Sequence, residues 1–222
     1  MSPAVAVATV ARPASAELVD RLATTLPRHE RDRAARFFGH RRAEFVAGRV
    51  LARRLLADEF GCAPAEVPLK VDPGGRLGVA GDTVGVSLAH SAGLVAVALS
   101  RDGAVGIDLE RADREPTALA WFCSPAERRW LDTLPRADRQ TGFVRLWTRK
   151  EACLKAAGTG IDRRLSGVHC GSGPSGTWRD VWWREAGLSP GYITAVALRP
   201  ATPLADKQAI HIIPIPSDRG VP

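Results

Sequence analysis

The sequence predicts an α+β protein assembled from two similar halves. Three observations lead there. A long run of helix-spaced apolar residues gives way to short, glycine-punctuated extended segments. The same order, helices and then strands, occurs a second time further along. Finally, Ala96-Val97-Ala98-Leu99 returns as Ala195-Val196-Ala197-Leu198, each copy preceded by a glycine and trailing a basic helix by a similar interval. With 222 residues, 45% of them hydrophobic, the chain is long enough to bury a core. Two facing halves also place a ligand cleft between them.

Each element has a local reason. Residues 5–10 are small and β-branched and read as an edge strand. Across residues 16–60 the apolar positions, among them Phe45, Val46, Val50 and Leu51, fall at helical spacing. Pro64 and Pro68 interrupt this pattern, and Gly74, Gly75, Gly78 and Gly81 divide the next stretch of chain into short extended pieces. Residues 84–88, 94–99 and 105–109 read as strands. In the second half, helical patterning covers residues 117–134, a helix spans about residues 139–157, a glycine-rich stretch comes next, and a strand covers residues 193–198. Ser124, Pro125 and Glu127 occupy the N-cap, N1 and N3 positions of a capping box, which explains Glu127 structurally.

Lys plus Arg total 31 against 24 acidic residues, a net charge of +7. The excess is concentrated: between Arg28 and Arg54 stand nine arginines and only three acidic residues, Glu30, Asp32 and Glu44. Such a window raises encounter rates with phosphate-rich ligands, acidic proteins or nucleic acid, and it equally suits a solvated helix face. Cys62, Cys123, Cys153 and Cys170 form no C-x-x-C pair, and the five histidines never fall at metal-ligand spacing. A reducing compartment without a zinc site is expected. The apolar stretch at residues 4–11 is too short for a membrane span or a secretory core and has no basic segment before it, so a cytoplasmic protein without membrane association is expected.

The chemistry-bearing residues form two groups. In Gly106-Ile107-Asp108-Leu109-Glu110 strict alternation sends Ile107 and Leu109 to one face of a strand and both carboxylates to the other. Paired carboxylates repel unless a cation lies between them, and Mg²⁺ favours such hard oxygen ligands together with water and phosphate. An ordinary exposed strand end shows the same pattern. In Trp147-Thr148-Arg149-Lys150-Glu151-Ala152-Cys153-Leu154-Lys155, residues 147, 151 and 155 share one helix face. Glu151 and Lys155 suit a surface ion pair, and equally a metal ligand or base beside a phosphate-neutralising cation. His90 lies in a small-residue turn between two strands, from which an imidazole reaches a ligand or serves structure alone.

In order and spacing, Ala89-His90-Ser91, Gly106 to Glu110, Phe122 to Glu127 and Trp147 to Lys155 with Gly158 resemble the motif blocks of the surfactin-synthetase-activating type of 4'-phosphopantetheinyl transferase. The resemblance runs from about Arg36 to Leu198. It implies a monomer with pseudo-twofold symmetry, divided at residues 1–104 and 105–222, which moves the phosphopantetheine arm of coenzyme A onto a serine of an acidic acyl or peptidyl carrier protein. It further implies that Asp108, Glu110 and Glu151 ligate Mg²⁺, and that Glu151, Lys155 and His90 are catalytic. Lys155 and His90 would contact the coenzyme A phosphates, Arg49 and Arg53 the adenosine end, with Arg76 and Lys150 as further contacts. The chain departs from the family at Ala89, where a serine is usual, and at Leu77, where a proline usually succeeds the basic residue.

Two rivals share some of these features. A Mg²⁺-dependent nuclease uses acidic residues and an E-x-x-x-K element, but in the common pattern its glutamate and lysine stand two apart on a strand, whereas here they stand four apart on a helix. An arginine-rich nucleic-acid-binding module has no use for Asp108 and Glu110, which repel phosphates in the absence of metal.

Overall fold

The computed structural model describes residues 4–81, 83–115, 122–160, 165–202 and 210–215. The first half contains β1 (Ala4–Ala11), α1 (Ala16–Thr24), α2 (Arg28–Ala34), α3 (Gly39–Phe60), β2 (Leu69–Val71), β3 (Leu77–Val79), β4 (Gly85–Ser91) and β5 (Leu94–Ser100). Then come β6 (Gly103–Arg111), α4 (Pro125–Thr133), α5 (Arg136–Ala157), β7 (Ser175–Trp178), β8 (Val181–Ala186), β9 (Tyr192–Pro200) and β10 (His211–Ile215). The expected helical patterning before α4 falls in part on residues 117–121, which lie outside the described residues.

Two four-stranded sheets carry the fold, ordered β10-β1-β5-β4 and β6-β9-β8-β7, with β2 and β3 forming a separate hairpin. Within them the triplets β1-β5-β4 and β6-β9-β8 repeat one plan: a strand, a long helix, then two antiparallel strands. The repeated Ala-Val-Ala-Leu segments lie on the matching strands β5 and β9. Ala96 pairs with Thr9 as Ala195 pairs with Asp108. The helices match as well, since α3 and α5 each have 22 residues and end on a left-handed glycine, Gly61 and Gly158. A left-handed residue there lets the chain leave the helix while its amide still bonds back to the last turn.

The duplication does not extend to the chain's last described strand. β10 crosses back to the first sheet and pairs in parallel with β1, from Ala4 opposite His211 to Ala8 opposite Ile215. The second half thus returns a strand to the first, and a division at residue 104 does not describe sheet membership. Pro214 is tolerated because β10 is an edge strand.

The halves meet along β4 and β6. Ile107 N–H donates to Ser87 Oγ at 3.1 Å, and Tyr192 Oη donates to the Ala92 carbonyl at 2.9 Å. α3 packs Leu51, Leu55 and Leu56 against Val86, Val97 and Leu99, while α5 packs Ala152, Cys153 and Ala156 against Ala195, Ala197 and Trp183. Gly106 permits the close seat of α5. A Cβ at that position would stand 2.0 Å from the Ala152 carbonyl oxygen and 2.6 Å from the Ala156 nitrogen. The glycine of the Gly-Ile-Asp motif is therefore a packing requirement, and it brings the helix near enough for its side chains to meet those of β6.

Candidate functional site

α5 runs alongside β6, so residues one turn apart on the helix face alternate residues on the strand. Lys155 Nζ donates to Asp108 Oδ1 at 2.7 Å and to the Ile107 carbonyl at 2.9 Å. Glu151, one turn earlier, lies within electrostatic reach of Asp108, Glu110, Lys155 and Arg114. Asp108 is only 8% exposed and Glu151 only 3%. Neither an exposed strand end nor a surface ion pair describes them. Trp147 completes the helix face, stacked on Phe122 with centroids 5.0 Å apart and covered by the Arg114 guanidinium at 4.3 Å.

Burial dominates the electrostatics of all three carboxylates. It raises Asp108 above its ordinary range despite the adjacent Lys155 ammonium. Glu110 is also raised by burial, opposed by the Ser91 hydroxyl and the Arg114 guanidinium. Glu151 is pushed up to about 7, first by burial and then by the charge of Asp108, with Lys155 and Arg114 opposing. Asp108 Oδ2 and Glu151 Oε1 are sealed from solvent without a hydrogen-bond partner. Buried acceptors left unpaired are costly and mark where a further donor or cation belongs. No group of three or more His, Cys, Asp or Glu side chains stands ready as a metal cage among the described residues.

The strand and turn residues are held by partners the sequence did not single out. His90 is half exposed, and its Nδ1 lies 3.2 Å from Glu44 Oε2 on α3. Glu44 also lies 3.5 Å from Arg12. Ser91 Oγ donates to Glu110 Oε2 at 2.6 Å, and Arg114 bonds the other oxygen, Oε1. Glu44 left one signal, as the lone acid between Arg41 and Arg54. Arg114 left none.

Two expected ligand contacts need correction. Lys150 is fully buried, and its ammonium donates to the Phe122 carbonyl, the Leu165 carbonyl and Glu127 Oε2 at 2.7–2.9 Å. An ammonium has three protons, and all three are used. Arg53 is 2% exposed; its Nε donates to Glu30 Oε2 at 2.7 Å, and its Nη1 meets the carbonyls of Pro64, Ala65 and Val67. Both are struts of the interior. Arg49 is also buried, 3.8 Å from Glu30 and stacked over Phe45 at 5.2 Å, with Nη1 lacking a hydrogen bond.

Arg76 lies at the C-terminal end of α5, against its glycine cap. Its amide donates to Asp72 Oδ1 at 2.9 Å in the β2–β3 turn, and its guanidinium packs on Gly158, where a Cβ would meet Nη1 at 2.6 Å. A cation there complements the helix C-terminus. Arg76 also lines a cavity of about 940 Å³ with Lys70, Arg101 and Trp182, which reaches none of Asp108, Glu110, Glu151 or His90. The structure thus brings Asp108, Glu110, Glu151 and Lys155 together, with His90 and Ser91 on the neighbouring strand, and sets Arg76 beyond the helix end.

Residues 104–189 match the model of the 4'-phosphopantetheinyl transferase superfamily, and residues 29–100 match that of the 4'-phosphopantetheinyl transferase N-terminal domain. The chain is 38% identical over 150 residues to the 4'-phosphopantetheinyl transferase HetI of Nostoc, covering 63% of this chain and 62% of that protein. It is 36% identical over 125 residues to the 4'-phosphopantetheinyl transferase AcpT of Salmonella typhi, covering 54% and 61%. To the 4'-phosphopantetheinyl transferase of Bacillus subtilis it is 29% identical over 158 residues, covering 69% and 70%. The chain spans about six-tenths of the length of the first two of these relatives. The nuclease and nucleic-acid-binding readings gain no support from these matches.

Proposed function

Because the chain belongs to the 4'-phosphopantetheinyl transferase superfamily, we propose that it transfers the 4'-phosphopantetheine moiety of coenzyme A to a serine of an acyl or peptidyl carrier protein. The observation that carries this reading is the convergence of Asp108, Glu110 and Glu151 beside Lys155, with two buried carboxylate oxygens left unpartnered. Those oxygens suit Mg²⁺, and Asp108, Glu110 and Glu151 would hold it. When bound, the ion would offset charge on the pyrophosphate.

The chain's own residues have distinct tasks in the reaction. The serine oxygen forms a bond to the phosphorus that bears pantetheine, and the P–O bond to adenosine 3',5'-bisphosphate breaks. Glu151, directly or through a water, accepts the serine proton. Lys155 shifts its ammonium from Asp108 towards the leaving phosphate, where it offsets developing charge. His90, oriented by Glu44, contacts a phosphate from the edge of β4. In this reading Arg76 contacts a phosphate and Arg49 belongs to the adenosine end. The N-terminal half accordingly supplies the adenosine and phosphate side, and the C-terminal half supplies the metal ligands and the catalytic helix.

The basic window favours an acidic carrier protein. The four free cysteines suit a reducing cytoplasm, and no helix among the described residues is long and apolar enough to cross a membrane. The enzyme acts as a monomer in this reading. The test is to incubate the protein with coenzyme A, Mg²⁺ and an apo carrier protein and to weigh the intact carrier. The expected result is a carrier heavier by one phosphopantetheine, and an unchanged carrier mass sinks the assignment.

A further inference from the structure

Two residues, Ala92 and Gly93, join β4 to β5, and their φ values are 44° and 92°. Positive φ at both positions is the pattern of a type I′ hairpin loop, whose first position favours asparagine, aspartate or glycine. An alanine there carries the steric cost of a left-handed backbone and has no side-chain hydrogen bond to offset it. Among the described residues, Ala92 and Arg179 alone have a positive φ without being glycine. Such a backbone persists where its surroundings hold it. Both loop carbonyls are in fact held from outside the hairpin. Arg12 N–H donates to the Gly93 carbonyl at 2.7 Å, and Tyr192 Oη donates to the Ala92 carbonyl at 2.9 Å. Arg12 belongs to the same half as the loop. Tyr192, the chain's one tyrosine, comes from the other half.

The residues just before the loop belong to the site. Ser91 Oγ donates to Glu110 Oε2 at 2.6 Å, and His90 Nδ1 lies 3.2 Å from Glu44. Tyr192 opens β9 and pairs there with Arg111, the neighbour of Glu110. The Ser91–Glu110 and Tyr192–Ala92 bonds therefore cross between the halves side by side, and a change in one loop residue is felt by His90 and Ser91 together. The Tyr192 ring packs against the core that contains Leu109 and Val196, so phenylalanine keeps the packing and loses only the O–H.

We infer that Tyr192 is a positioning residue of the site: its hydroxyl holds Ala92 in the left-handed conformation that sets Ser91 against Glu110 and His90 towards the ligand. That the ligand is coenzyme A rests on the transferase reading above. Tyr192→Phe, Ala92→Gly and the double variant test the inference in the full chain. The measurements are coenzyme A affinity by calorimetry, KM and kcat from carrier mass, and the His90 imidazole signals by NMR, assigned through their loss in His90→Gln. The Tyr192–Ala92 bond is exposed, so Tyr192→Phe should melt at the wild-type temperature. It is expected to shift the His90 signals and to raise Kd and KM for coenzyme A about five- to tenfold, with KM for the carrier unchanged. Glycine takes the left-handed backbone freely, so Ala92→Gly alone should stay near wild type, and the double variant should recover to within about twofold of it. Unmoved His90 signals in Tyr192→Phe overturn the inference, as does a defect that Ala92→Gly leaves in place. A lowered melting temperature with unaltered coenzyme A affinity makes Tyr192 a structural tyrosine and overturns it as well. If the wild type neither binds coenzyme A nor modifies the carrier, the transferase reading fails, and the His90 signals of the three variants still decide whether Tyr192 positions the loop.

Discussion

Lys155 Nζ lies 2.7 Å from Asp108 Oδ1, while the other oxygen of that carboxylate, Oδ2, is sealed from solvent without a partner. One half of the carboxylate is neutralised by the fold and the other half is left for something else. Asp108→Asn keeps the side chain's shape, and Lys155 retains its bond to the Ile107 carbonyl. Burial already penalises the Asp108 charge, so this variant is expected to melt at the wild-type temperature or above. On the transferase reading, which assigns that charge to Mg²⁺, transfer should fall by at least about a hundredfold. Melting curves and turnover on one preparation check both halves, and a fully active variant removes Asp108 from the site.

Glu151 links folding to pH. In the metal-free folded protein it holds its proton up to about pH 7, whereas in the unfolded chain it does so only to about 4.3. The folded state binds the extra proton between those values. The stability gained from that proton is thus fully present below about 4.3 and is lost as pH rises through about 7. Relative to Glu151→Gln, the wild type should lose about 4 kcal/mol across this window in the presence of a chelator. Chemical denaturation at a series of pH values measures the difference, and parallel curves for the two proteins count against a raised Glu151. Mg²⁺ should flatten the wild-type profile, since binding to the carboxylates expels the proton.

Gly106→Ala places a methyl group where the Ala152 carbonyl oxygen stands only 2.0 Å away. α5 must then lift from β6, which should cost about 1–3 kcal/mol and lower kcat, since Glu151 and Lys155 move with the helix. Gly167→Ala, where an added Cβ meets nothing within 4 Å, serves as the control and should be mild. Urea denaturation with parallel kinetics tests the pair; equal effects at the two glycines would show that the helix seat is not specific to residue 106.

Lys150→Met strands the Glu127 carboxylate in the interior, where Lys150 and the Ser124 amide are its partners. Breaking one member of a buried pair typically costs about 3–5 kcal/mol. The expected outcome is a large loss of stability with no change in KM for coenzyme A in the fraction that folds. A stable Lys150→Met with a raised KM for coenzyme A would return Lys150 to the ligand contacts.

Local periodicity made the centre of the site legible. Alternation along residues 107–110 put Asp108 and Glu110 on one face, and four-residue spacing put Glu151 and Lys155 on another. Both patterns belong to single elements. What the sequence could not supply was how basic residues are consumed. Arg53 and Lys150 stand in arginine- and lysine-bearing helices with phosphate-ready neighbours, yet their partners, Glu30 and Glu127, lie 23 residues away in each case and meet them only through tertiary packing. The repeated Ala-Val-Ala-Leu segment foretold the matching strands β5 and β9 of the two sheets, because a buried central strand requires small apolar residues on both faces. β10 left no comparable trace: a five-residue segment containing Pro214 gains its strand character from the neighbour it joins.

That pairing has a mechanical consequence. β1 and β10 lie side by side and point the same way, so a force applied at Ala4 and at Ile215 pulls opposite ends of the two strands in opposite directions. The load falls in shear on the whole five-residue register at once and cannot peel it apart one bond at a time. Under tension between these two points the β1–β10 seam should break first and abruptly, freeing the second sheet from its tether to the first. The same force applied between Ala11 and Leu94, which face one another at a single end of the antiparallel β1–β5 pair, should unzip that pair gradually instead.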